Sequence, residues 1–68
     1  MNPEIQRTER QLQDLLFAQR DYLSAKPDHF LVELEHEAQG LLHHESGFVR
    51  IAAEINRSAA IMARESRK

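Results

Sequence analysis

The chain has 68 residues, a net charge of −2 and no cysteine. One small domain is the most this length allows, and its core supplies about 3–5 kcal/mol unless something staples it. Disulfides and thiolate metal sites are excluded, which makes a protein partner or a second copy the expected staple. No apolar run reaches the roughly 18 residues that span a bilayer. The first ten residues are too polar for a signal peptide, so a cytoplasmic protein with no membrane partner is expected.

The first element opens at Asn2–Pro3–Glu4. Asn suits a cap, Pro the first helical position, and Glu the positive end of the helix dipole. At about 100° per residue, Ile5, Leu12, Leu15, Leu16, Tyr22 and Leu23 share a face. The pattern predicts a helix over 3–24. Gln19 interrupts the apolar stripe, and Phe17 points away from it.

Lys26–Pro27–Asp28 breaks the chain, because a residue preceding proline is biased out of the helical region. The next helix should return antiparallel, starting near Pro27 or capped by Asp28. From 28 to 45 the apolar face is Phe30, Leu34, Ala38, Leu41 and Leu42, with Val32 off it. Gly40 costs this helix about 1 kcal/mol relative to alanine. It marks either a close helix approach or a weak point.

Ser46–Gly47 is the next joint. The apolar stripe stays in phase across it, through Leu41, Phe48, Ala52, Ile55, Ala59 and Met62. One helix of about 38 residues is therefore allowed by periodicity. Charge favours a break. Residues 28–46 carry Asp28, Glu33, Glu35, Glu37 and Glu45 with no Lys or Arg. Residues 47–68 carry Arg50, Arg57, Arg64, Arg67 and Lys68 against Glu54 and Glu65. Opposite blocks attract when the chain folds back, so a third helix capped by Ser46 is expected over 47–65.

The fold expectation is all-α. Residues 1–68 form one small three-helix bundle, an antiparallel hairpin plus a third helix, and the bundle dimerises. Core candidates are Leu12, Leu15, Leu16, Leu23, Phe30, Leu34, Leu41, Phe48, Ile51, Ile55 and Met62.

Chemistry is sparse in this sequence. His29, His36 and His43 are seven apart, about 10.5 Å along a helix, too far for two to share a metal. With His44 they read as a solvated, titratable face. There is no nucleophile elbow, phosphate-binding glycine loop or zinc-protease signature. The expectation is no enzyme, no cofactor and no metal site. Phe17, Val32 and Ile61 lie off the buried faces and are the candidate partner-binding residues. The leading reading is a non-enzymatic module acting by protein–protein contact, of adaptor, antiactivator or co-chaperone type.

A second reading comes from Ile51, Ala52, Ile55, Asn56, Arg57, Ser58, Met62, Arg64 and Glu65. Their pattern resembles the helix-turn-helix segments of transposase- and resolvase-type DNA-binding domains over residues 48–68. The resemblance implies a turn at Asn56–Ser58, with Ser58 capping a reading helix. It implies base contacts from Ala59, Ala60, Ala63, Arg64 and Arg67, and phosphate contacts from Arg57 and Lys68. The alternative function is therefore a DNA-binding transcriptional regulator.

Overall fold

A computed structural model describes residues 3–67. It contains α1 (Pro3–Leu23), α2 (Asp28–Gly40) and α3 (Gly47–Glu65), with no strand among the described residues. The all-α class expected from periodicity is what the chain adopts. Asn2 and Lys68 lie outside the described residues.

The first connection is held locally. The Ser24 amide donates to Arg20 O at 2.9 Å, and the Lys26 amide donates to Leu23 O at 2.9 Å. Ser24 Oγ donates to Asp21 O at 2.7 Å. Pro27 takes the cap position of α2, extended at φ −70° and ψ 158°. Its carbonyl accepts from the Phe30 amide at 3.1 Å. Asp28 is thus the first helical residue, and its carboxylate is free to turn toward α3.

The second helix stops at Gly40, five residues before the expected end. A carbon placed on Gly40 would meet nothing within 4 Å, so no close approach requires this glycine. The weak-point reading holds. Glycine costs the helix, and no basic side chain in the last turn offsets its negative end. The chain then tightens, with the Leu41 amide on Ala38 O at 3.0 Å and the His44 amide on Leu41 O at 3.1 Å. His44 Nδ1 accepts from the Ser46 amide at 3.0 Å.

Ser46 caps α3 as expected, its hydroxyl accepting from the Val49 amide at 3.3 Å. Arg50 closes the loop from the other side, donating to His44 O at 2.9 Å. From Gly47 the helix runs without a break to Glu65, through Asn56, Arg57 and Ser58.

α3 packs against both α1 and α2, while those two barely touch each other. The molecule is therefore a slab, 40 × 27 × 15 Å, with α3 in the middle. The Cα radius of gyration, 12.9 Å, exceeds the roughly 10.9 Å of a compact domain this long. Alanine explains the arrangement. α3 buries Ala53, Ala59, Ala60 and Ala63 along one side, small residues over which Leu23 of α1 and Leu31 of α2 can both close.

The core differs from the expected one. It comprises Leu23 and Leu31 over Ala59, Ala60 and Ala63, with Leu16 and Leu34 packed against it. Of the eleven residues expected inside, only Leu23 is fully covered. Leu16, Leu34, Ile55 and Met62 are half-buried. Leu12, Leu15, Phe30, Leu41, Phe48 and Ile51 are exposed. Their periodicity described an apolar face correctly, but in a slab most of that face has no helix opposite it.

Candidate partner-binding face

The contacts between helices fix which sides of them share a face. Gln19 Nε2 of α1 donates to Asn56 Oδ1 of α3 at 3.0 Å. Leu12, Gln13 and Leu16 border a shallow open groove with Ile55 and Ser58. On the other edge, Glu35 of α2 accepts from Arg64 of α3 at 2.8 Å. With α1 parallel and α2 antiparallel to α3, the turn of about 100° per residue sorts the remaining positions into two faces.

One face is apolar. α1 contributes Leu15 and Tyr22, α2 contributes Phe30 and Leu34, its C-cap contributes Leu41, and α3 contributes Phe48. Phe48 is 82% exposed, Tyr22 58% and Leu15 57%. Lys26 ties two of these together, its ammonium 4.9 Å from the Tyr22 ring centroid and 5.6 Å from that of Phe30. Glu33 and Glu37 of α2 border the face, and large apolar side chains left open on one side in this way mark an interaction site in a small protein.

The opposite face is charged, and Phe17, Val32 and Ile61 lie on it. Phe17 is exposed, with the Arg20 guanidinium 4.9 Å from its ring centroid. Val32 and Ile61 are half-buried. The three expected partner-binding residues thus share a side of the molecule. They sit among Arg20, Asp21, Glu54 and Glu65, and of the three only Phe17, 43% exposed, is as open as Phe30 or Leu41.

The turn implied by the helix-turn-helix resemblance does not form, because α3 is continuous from Gly47 to Glu65. Without the turn there is no separate reading helix for a groove. Ala60 is wholly buried. Ser58 is half-buried beside α1. Arg64 is committed to Glu35 at 2.8 Å, and Arg67 to Asp28 at 2.6 Å. Arg67 also donates to the carbonyls of Ser24 and Lys26, so it clasps the α1–α2 turn. Arg57 Nε is buried and finds no hydrogen-bond partner. The attraction expected between the acidic and basic blocks is therefore made explicit as α2–α3 ion pairs.

Among the described residues, no three His, Cys, Asp or Glu side chains stand together as a metal-holding group. No described helix is long and apolar enough to cross a membrane. One signal for the exposed face was present in the sequence. The helix with the best amphipathic pattern is rich in alanine, and a side built of alanine puts little apolar volume into a core. Comparison with protein families, curated proteins and solved structures finds no match to this chain.

Proposed function

We propose that this chain is a non-enzymatic helical binding module that works by protein–protein contact, as an adaptor, antiactivator or co-chaperone does. The observation that carries the reading is the apolar face of Leu15, Tyr22, Phe30, Leu34, Leu41 and Phe48 on a chain with very little interior of its own. Large apolar side chains at the centre of a patch are where binding energy concentrates, and aromatic residues lead among them. The basic side chains at the end of α3 support the same reading, since Arg64 and Arg67 are engaged by the acids of α2.

A photo-reactive phenylalanine analogue at position 48 tests this in the producing cell. Adducts removed by protease and insensitive to nuclease are the expected result. Nuclease-sensitive adducts, or retention of genomic DNA fragments in a low-salt gel shift that Arg64→Ala with Arg67→Ala abolishes, would overturn it in favour of a DNA-binding regulator.

A further inference from the structure

Surface area indicates how much of the face needs covering. A compact chain of 7.9 kDa exposes about 4,400 Å². This one exposes 5316 Å², roughly 900 Å² more than that expectation. A stable interface of standard size removes about 800 Å² from each partner. The excess is one interface's worth, and one side of the slab is apolar.

Resting on the binding-module reading, we propose that the occupant of this face is a second copy of the chain. Timing selects the occupant. Among the described residues, only Leu23 and Leu31 are large side chains wholly inside one copy. A chain of 68 residues without cysteine has neither a disulfide nor a thiolate metal site to make up the shortfall. The face must therefore be covered whenever the chain is folded, not only during an encounter. A partner that came and went would leave the fold unsupported between visits. A second copy is made at the same place, at the same time and in the same amount.

Charge selects the orientation. Glu33 and Glu37 stand beside Phe30 and Leu34 on α2. Bringing two α2 helices together would set four carboxylates against one another, which is destabilising. α2 of one copy instead lies over the end of α1 in the other, where Gln19, Tyr22 and the Lys26 ammonium stand at the height of Glu33 and Glu37 along α3. Face-to-face docking with that exchange has its two-fold axis running along α3. An isologous contact of this kind brings residues near the axis to their own equivalents. α3 is the middle helix, so the two Phe48 side chains meet.

The natural sequence has no cysteine, which makes the test clean. The full chain is measured by sedimentation equilibrium and by melting at several concentrations, with an apolar fluorescent dye as a probe of open surface. A mass of two chains, a melting temperature that rises with concentration and no dye binding are expected. Under mild oxidation, the Phe48→Cys variant should crosslink roughly tenfold more than Phe17→Cys on the opposite face, given the short reach of a disulfide. Equal or greater crosslinking through Phe17→Cys would overturn the assigned face. A cooperatively melting monomer that binds the dye would overturn self-association and leave the binding-module reading standing. A cooperatively melting monomer that does not bind the dye would remove both.

Discussion

The two ends of this slab are built differently. At the turn end, Leu23 and Leu31 are sealed against Ala59, Ala60 and Ala63, and Arg67 clasps the connection between α1 and α2. At the other end, the first turns of α1 extend past α3, Phe48 is 82% exposed, and Leu41 and Ile51 lie open. The ends differ in what α3 offers: alanines that two leucines can close over at one end, and large side chains with nothing opposite at the other. An interior forms where shapes are complementary, and an interface is left where they are not.

Substitutions at the sealed end test the contrast. The largest effect is expected from Leu31→Ala, which empties the sealed end. It should lower stability by about 3 kcal/mol in a urea melt followed by helical circular dichroism. Ala60→Leu attacks the same end by overpacking and should cost about 1–3 kcal/mol in that measurement. A result near zero for either would mean that the sealed end is not the core.

Smaller effects belong to the connections. Arg67→Ala removes the clasp on Ser24, Lys26 and Asp28. About 1–2 kcal/mol is expected, held down because Asp28 is largely exposed. Arg67→Lys should recover only part of this, since one ammonium cannot reproduce the fork that meets several oxygens. Ser46→Ala removes the cap of α3 and should cost about 1 kcal/mol. The smallest change is a gain. Gly40→Ala, with open space around the new methyl, should stabilise by about 0.5–1 kcal/mol. Loss of stability there would show that the early end of α2 depends on glycine.

Periodicity located the helices well because it reports one helix at a time. α1 and α3 follow their apolar stripes, and Ser46 caps where a serine before an apolar run should. The end of α2 was harder to place, since the stripe continues through Leu41 and Leu42 while the backbone turns after Gly40. The candidate face was legible as apolar residues but not as a face. Leu15, Phe30 and Phe48 have the spacing of core residues, and spacing does not reveal whether another helix stands opposite.

Local physics in the sequence therefore determined the elements: three amphipathic helices, the proline break, the serine cap and the opposite charges of the second and third segments. Each depends on residues within a few positions of one another. Tertiary structure alone decided that Asn56–Ser58 stays helical, that α3 takes the middle, and that six expected core residues remain outside. Those outcomes depend on where α1 and α2 sit around α3. Alanines along one side of that helix let Leu23 and Leu31 close over it at the turn end, while its first turns, with Phe48 and Ile51, are left open.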